Sequence, residues 1–354
     1  MPFLTQDECL IPLLERPLIN QYEMSDRGEK GGIVFLLRTL DTRPQLGVHV
    51  KTLQLNELDD SDADKVMERL HLMPNIKDLY LPRTVERRDL LLSLPTPDAA
   101  RPRPRPTSLL LRMDDTYSRT NDWSLGPPSL GLLLDLSRLH DLTIESLPRP
   151  SVFAEEIGPL LPSSLSRLKL TNLPNLPNNE ADDELIPYIA GSCPSLQKLV
   201  LGFEPPGWER HPPLPGLLET VLKSLPTLRS LAFEAARLED VIGDARHPLL
   251  ETLTLQTNEF EHSSRSPADH LLHRAVDDLC RRCRQEPNAF PSLQLVRLSR
   301  SDPPGLWFGP GSKNYQQPGV VKMARKLKDV GLDLEDDYGY PWRDEWFTEL
   351  EGGL

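Results

Sequence analysis

The stretch PSLQKLVL at residues 194–201 decides the fold class of this 354-residue chain. It has the form Pro-x-Leu-x-x-Leu-x-Leu. The same form returns as PTLRSLAF at 226–233, PLLETLTL at 248–255 and PSLQLVRL at 291–298. PNIKDLYL at 74–81 is the same phrase with Ile in the first leucine place. Phrases of this kind, separated by a few tens of residues, are typical of a leucine-rich-repeat array.

Each Leu-x-Leu pair predicts a short strand with both leucines pointing inward and the residue between them pointing outward. One such unit cannot bury its apolar face alone, so the units are expected to stack on one another. Helical patterns lie between the strands, and the clearest is GLLETVLKSL at 216–225. The predicted fold class is therefore α/β. We expect a leucine-rich-repeat solenoid with a curved parallel sheet on its concave side and helices on its convex side.

The central inward residue of each unit can be placed from the phrase and its weaker variants. The residues so placed are Leu53, Leu79, Leu109, Leu142, Leu168, Leu199, Leu231, Leu253, Val296 and Leu332. Three further helices are predicted over residues 61–73, 182–190 and 268–284.

The chain is predicted to have three regions. The repeat array covers residues 35–335 and contains a Pro/Arg-rich insertion near 95–107 with an Arg-Pro alternation. Residues 1–34 form an N-terminal lead-in, and residues 336–354 form an acidic, aromatic C-terminal tail. The Arg-Pro alternation fits either a solvated loop or an extended ligand for an aromatic-lined groove.

The amino-acid composition limits which classes of binding partner and which cellular compartment we expect. The chain has 53 acidic and 40 basic residues, a net charge of −13, which argues against nucleic acid as the main partner. It has no apolar run near ~18 residues and no apolar signal-peptide core, so no membrane partner is expected. Four cysteines are too few for a disulfide framework in a chain of this length. We expect a cytoplasmic or nuclear protein.

Three stretches superficially resemble chemical motifs. Cys280 and Cys283 form one C-x-x-C, and a straight helix cannot bring them and the upstream His270 and His273 onto one zinc ion. The acidic run at 59–64 lacks the glycine and glutamate places of a calcium loop. GPGSK at 309–313 lacks the P-loop spacing. We therefore predict no catalytic, metal-binding or cofactor-binding residues, no cofactor, and no enzyme activity.

The outward strand residues are the predicted binding surface. A long row of such residues typically binds a protein, and Arg and Tyr are favoured anchors in protein interfaces. Arg167, Lys169 and Lys198 are expected on adjacent strands about 5 Å apart, where they would form a local basic spot. Alternatively, these side chains are simply solvated. The predicted protein-binding residues of the concave face are Tyr80, Thr143, Arg167, Lys169, Lys198, Thr254 and Arg297.

Two segments carry a resemblance to a known family. FLLRTLDTRPQLGVHVKTLQLN at 35–56 resembles the opening segment of fungal F-box/leucine-rich-repeat proteins, which leads from a helix into the first strand. VKMARKLKDVGLDLE at 321–335 looks like the closing helix and strand of that group. The resemblance covers the repeat region only. The F-box module, which usually opens near Leu-Pro-x-Glu, is not found in this chain.

The resemblance implies a substrate-recognition subunit of a cullin-type ubiquitin ligase. Its concave face would hold the target protein, and an adaptor subunit of the ligase would be a second partner. Residues 1–34 would then be a remnant of the F-box region or a substitute for it. Because the F-box phrase is missing, the alternative is a leucine-rich-repeat scaffold with no link to a ubiquitin ligase.

Overall fold

The computed structural model describes residues 29–55, 65–81, 103–112, 134–147, 153–173, 185–203, 217–234, 244–257, 267–300, 318–336 and 338–343. Its internal contacts divide the chain into two compact units. The first unit comprises Met1–Pro148 with Glu155–Leu165, and the second comprises Arg149–Ala154 with Ser166–Leu354. The predicted α/β class with parallel strands is confirmed, because every pair of strands given below is parallel and helices lie between strands along the chain.

The first unit contains four strands that pair in chain order. They are β1 (Thr52–Gln54), β2 (Asp78–Leu81), β3 (Ser108–Arg112) and β4 (Asp141–Glu145). Before them lies helix α1 (Glu29–Thr42), followed by a 3₁₀ turn at Pro44–His49. Shorter 3₁₀ turns occur at Leu70–Leu72 and Leu136–Arg138. A helix was predicted over 61–73; its described part is one short helical turn at 65–67 and the 3₁₀ turn after it.

The second unit contains six parallel strands, again paired in chain order. They are β5 (Arg167–Leu173), β6 (Lys198–Phe203), β7 (Ser230–Glu234), β8 (Thr252–Thr257), β9 (Leu295–Arg300) and β10 (Asp333–Glu335). Its helices are α2 (Ile186–Ser192), α3 (Leu217–Ser224), α4 (Pro267–Gln285) and α5 (Pro318–Lys328). The helices predicted over 216–225 and 268–284 are confirmed. The helix predicted over 182–190 is described from Ile186 onward. A π-helical turn at Phe153–Ile157 and a 3₁₀ turn at Gly158–Leu160 precede β5 in the sequence.

The register of the strands places the predicted inward residues level with one another. In the first unit the level residues are Leu53, Leu79, Leu109 and Leu142. In the second unit they are Leu168, Leu199, Leu231, Leu253, Val296 and Leu334. All of them are buried. Stacking level leucines removes each strand's apolar face from water, which is the dominant favourable contribution to folding.

The prediction for the last strand is wrong by two residues. Leu334, not Leu332, pairs with Val296. Residues two apart point to the same side of a strand, so Leu332 and Leu334 fit the leucine pattern equally well. Gly331, at a φ of +80°, turns the chain after α5, and Leu332 is buried just before the strand begins. The next inward position is then Asp336, which is fully buried.

A backbone hydrogen-bond pattern recurs just before the strands. The carbonyl oxygen of Lys77 accepts from the N–H groups of Thr107 and Ser108, at 2.8 and 3.0 Å. The carbonyl of Gln197 accepts from Arg229 and Ser230 in the same way, at 2.8 and 2.9 Å. Each turn is therefore fixed by its neighbour, as expected for units that depend on stacking.

Polar side chains link successive turns at one repeated position. Asn75, Thr227 and Ser292 each follow the proline that opens a leucine phrase. Each side chain donates to a carbonyl of the preceding turn: Asn75 to Val48 at 2.9 Å, Thr227 to Pro194 at 3.1 Å and Ser292 to Pro248 at 2.6 Å. These bonds satisfy carbonyls that the short turns leave without a backbone donor.

The Arg-Pro segment packs as part of a unit over its described residues, 103–107. Pro104 and Pro106 are buried, whereas Arg103 and Arg105 are exposed. The spacing from Pro104 to Leu111 is that of the leucine phrase, with Pro106 in the first leucine place. These residues of the predicted insertion near 95–107 are thus the lead-in to β3. Over these described residues the prolines are packed and the arginine side chains are the exposed part.

The C-terminal segment turns back on the last strand. Glu335 forms an antiparallel bridge with Pro341, and the Trp342 N–H donates to the Leu334 carbonyl at 2.8 Å. One carboxylate oxygen of Asp336 accepts from the N–H groups of Tyr338 and Tyr340, at 2.9 and 2.8 Å. The described part of the predicted tail, 336 and 338–343, is therefore a cap on β10. We call this segment the C-terminal cap.

Gly47 is required by a close backbone approach, and its replacement should destabilise the first unit. A Cβ atom at this position would lie 2.2 Å from the Leu72 carbonyl oxygen and 2.9 Å from its carbon. Backbone atoms cannot rotate away, so we expect Gly47→Ala to cost at least about 1–3 kcal/mol in free energy of unfolding. Urea unfolding followed by circular dichroism measures the change. Gly191→Ala is the matched control, because nothing lies within 4 Å of a Cβ at that position of α2. Equal stability of the two variants would contradict the prediction.

Candidate functional site

The second unit presents two rows of outward side chains between its buried leucines. The first row runs from β5 to β10 through Arg167, Lys198, Ser230, Thr252, Leu295 and Asp333. The second row runs through Lys169, Val200, Ala232, Thr254, Arg297 and Glu335. We call these two rows the outward face of the second unit. Five of the predicted binding residues belong to it.

The structure brings the three predicted basic residues together on β5 and β6. Arg167 and Lys198 are direct partners in the strand register, and both are exposed. Lys169 lies two residues along β5 on the same face and is half-buried. Arg167 and Lys169 each also have an interaction elsewhere within the structure. We call Arg167, Lys169 and Lys198 the basic cluster.

Arg297, at the other end of the second row, is paired with an acidic neighbour. Its Nη2 atom lies 2.8 Å from the Oε2 atom of Glu335 on the adjacent strand. A partly exposed pair of this kind contributes roughly 0–1 kcal/mol to stability, and its charge is largely compensated. Thr254 is half-buried beside Arg297 in the same row.

The side chains in the middle of the second row are short and apolar. Val200 and Ala232 are each only 8% exposed, although both lie on the outward face. Small side chains at these two adjacent positions let the backbone of a bound segment come close to the strands. The Leu-x-Leu pattern places both residues outward but does not indicate how far they are buried.

Tyr80 and Thr143 lie on the outward side of the first unit. Its second row runs through Gln54, Tyr80, Leu110 and Thr143, so Leu110 separates the two predicted residues. All four are half-buried. The sequence does not identify Leu110 as an outward residue, because β3 contains three consecutive leucines. These hide the alternation that distinguishes the two sides of a strand. The register with Tyr80 assigns it to the outward side.

Cys280 of the C-x-x-C pair lies buried where α4 contacts α5. Cys280 on α4 is 1% exposed, and its Sγ atom donates to the Lys326 carbonyl on α5 at 3.4 Å. Burial raises the pKa of Cys280 to about 11 from its ordinary 9.0, and burial also raises the pKa of Cys283. No group of three or more His, Cys, Asp or Glu in the described part of the chain could hold a metal ion. The side chains of His270 and His273 lie outside the described residues, as do the 59–64 and 309–313 stretches.

The raised pKa of Cys280 predicts that its thiol is alkylated slowly. A pKa near 11 rather than 9.0 lowers the thiolate fraction at pH 8 by about 100-fold. We expect iodoacetamide to label Cys280 of the folded protein at least that much more slowly than in urea, where the thiol regains its ordinary pKa. Peptide mass spectrometry of timed samples measures both rates. Similar rates in buffer and in urea would show that this part of α4 opens readily.

The first unit has a shallow cleft, and the carboxylate in its lining is bonded to neighbouring residues. Its volume is about 510 Å³, and Arg103, Asp135, Ser137 and Ser163 contribute its polar lining. The Asp135 carboxylate accepts from the Ser137 N–H at 3.1 Å and pairs with Arg105 at 2.7 Å. The hydrogen bonds from Ser137, together with Arg105, lower the pKa of Asp135. This carboxylate is therefore a turn cap that stays ionised, and it is a poor general base.

The comparison with known proteins gives no relative from which a function could be inferred. No family model matches the chain, and no curated protein matches it. None of the helices in the described part of the chain combines the length and the apolar character needed to cross a bilayer. The outward face of the second unit, with its basic cluster, is accordingly the candidate binding surface.

Proposed function

We propose that this chain is a non-enzymatic protein-interaction module. It binds a target protein through the outward faces of its strands, which form the concave side of a leucine-rich-repeat array. The observation that carries the proposal is the strand register. It brings residues that are distant in the sequence, such as Arg167 and Arg297, onto one face of the second unit. Such a broad surface, without an enclosed cavity among its described residues, suits a macromolecule better than a small ligand.

The most specific form of the proposal is a substrate-recognition subunit of a cullin-type ubiquitin ligase, acting in the cytoplasm or the nucleus. It is supported by the resemblance of residues 35–56 and 321–335 to the opening and closing segments of F-box/leucine-rich-repeat proteins. The second candidate is a repeat scaffold without a ligase partner. This candidate needs only the outward face and no adaptor-binding module.

A blocking substitution tests the binding face. Thr254→Arg places a large side chain in the second row, whereas Thr220→Arg makes the same change on helix α3; both threonines are half-buried. Proximity labelling in cells should find a set of proteins that is lost with Thr254→Arg and kept with Thr220→Arg. Identical sets for the two variants would argue against binding through the outward face.

A separate measurement decides between the ligase subunit and the scaffold. The full chain is mixed with a purified cullin-ligase adaptor and passed over a size-exclusion column. Co-elution supports the ligase subunit. Separate elution, with target binding retained, supports the scaffold.

A further inference from the structure

A histidine occupies a place in the leucine phrases that is otherwise apolar. We call each phrase, together with the turn before it, a repeat. The residue just before the proline of the five quoted phrases is always buried; these residues are Met73, Cys193, Leu225, His247 and Phe290. His247 is only 1% exposed although its ring is polar, and such a ring needs hydrogen-bond partners. A buried polar residue at a core position of the repeat is a local exception of the kind expected where a residue has a specific task.

The imidazole ring of His247 is bonded to the backbone through both of its nitrogens. Its Nε2 atom lies 2.9 Å from the Leu225 carbonyl oxygen, and its Nδ1 atom lies 3.3 Å from the Leu249 N–H nitrogen. A carbonyl oxygen only accepts and a backbone N–H only donates, so Nε2 must carry the proton and Nδ1 must accept. These contacts therefore assign the neutral Nε2–H tautomer to His247.

The backbone of His247 continues the link in the other direction. Its N–H donates to the Ala289 carbonyl oxygen at 2.8 Å. Leu225 precedes the phrase of β7, whereas Ala289 lies in the turn before the phrase of β9. His247 itself precedes the phrase of β8. One residue is thus bonded to the repeats of β7, β8 and β9.

The repeat that contains His247 is the shortest in the second unit. Fewer residues lie between Leu231 and Leu253 than between any other two level residues on neighbouring strands of that unit. Helices α3 and α4 lie before β7 and β9, whereas the described residues between β7 and β8, 244–251, contain no helix. A turn without a helix has less apolar surface to bury against its neighbours, so directed hydrogen bonds matter more for holding it.

We propose that His247 is a polar tie that makes the repeats of β7, β8 and β9 open as one block. In a repeat array each repeat contacts only its neighbours, so distant repeats can open separately. His247 is bonded to the repeat before it and to the repeat after it at the same time. The tie thereby keeps Ala232, Thr254 and Arg297, which follow one another in the second row, level on the outward face.

Hydrogen exchange of the full chain in low urea tests this tie. Peptide mass spectrometry follows the amides of β7, β8 and β9 below the unfolding transition. In the unsubstituted chain the three strands should exchange with one common dependence on urea, because a cooperative block opens in a single step. His247→Leu supplies the residue that Leu225 provides at the equivalent place, but it removes both hydrogen bonds of the ring. In that variant the exchange rates of β7 and β9 should differ by at least ~5-fold, as expected from the loss of about two hydrogen bonds.

Phe290→Leu is the matched control for His247→Leu. It changes the equivalent buried side chain of the next repeat without removing a side-chain hydrogen bond, so the common dependence on urea should remain. The inference is overturned if β7 and β9 already differ in the unsubstituted chain, or if they still exchange together in His247→Leu. Loss of the common dependence in Phe290→Leu as well would assign the effect to core packing instead of the tie.

The tautomer gives a second measurement that needs no folded variant. Nitrogen-15 spectra of the unsubstituted, histidine-labelled chain should contain an Nε2–H that exchanges slowly with solvent, because the ring is buried and bonded to Leu225. Spectra in which every histidine N–H exchanges rapidly would overturn the assignment and, with it, the tie.

Discussion

Replacing Leu199 by alanine is expected to lower the free energy of unfolding by about 2–5 kcal/mol, the range seen for fully buried leucines. Leu199 is the central inward residue of β6, level with Leu168 on one side and Leu231 on the other. It is fully buried, so truncation removes apolar contacts with two neighbouring strands and leaves a cavity between them. Urea unfolding followed by circular dichroism measures the loss.

The control for this prediction is the preceding residue. Lys198 points outward and is exposed, so Lys198→Ala should change the free energy of unfolding by less than about 0.5 kcal/mol. Leu253→Ala on β8 should behave like Leu199→Ala, because Leu253 lies at the same level and is also buried. A loss below about 1 kcal/mol at both leucines would mean that the inward and outward positions are wrongly assigned.

Replacing Trp342 by alanine should remove the C-terminal cap and cost about 3–5 kcal/mol, as for other buried aromatic residues. Trp342 is 9% exposed and follows directly on the residue that bridges to Glu335. Without its side chain, the cap loses the large apolar surface that Trp342 buries. The backbone N–H groups of β10 should then exchange with solvent faster, as hydrogen exchange with mass spectrometry can measure.

Tyr338 supplies the control within the same cap. It is 62% exposed, so Tyr338→Ala removes an aromatic ring with little loss of buried surface. This variant should keep both the unfolding free energy and the slow exchange of β10. If Trp342→Ala and Tyr338→Ala gave the same exchange pattern, the cap would be held by its backbone and by Asp336 alone.

The leucine phrase carried most of the fold that the sequence could predict. Its fixed spacing specifies which residue faces inward, so Leu199, Leu231 and Leu253 could be placed level before any pairing was known. The same spacing put Arg167 beside Lys198, and the structure agrees. Helix α3 was predictable because its apolar residues follow a 3.6-residue period between two prolines.

The features that escaped prediction depend on substitutions within the phrase or on partners distant in sequence. Pro106 stands in a leucine place, and a proline-rich stretch is ordinarily taken for a loop. Leu332 and Leu334 share one side of a strand, so only pairing with Val296 could separate them. The ion pair of Arg297 with Glu335 joins residues on strands between which helix α5 lies in the sequence, and no local pattern indicates it.

Pro341 in the C-terminal cap illustrates how such a protein avoids edge-to-edge association with other copies of itself. A terminal strand normally exposes a line of unpaired amide groups, an open template for fibre-like association between molecules. Here the segment lying against β10 places Pro341 opposite Glu335, and proline has no amide hydrogen to offer a newcomer. Pro341, which pairs with Glu335 beside the last strand, therefore cannot donate a hydrogen bond to a strand of another molecule.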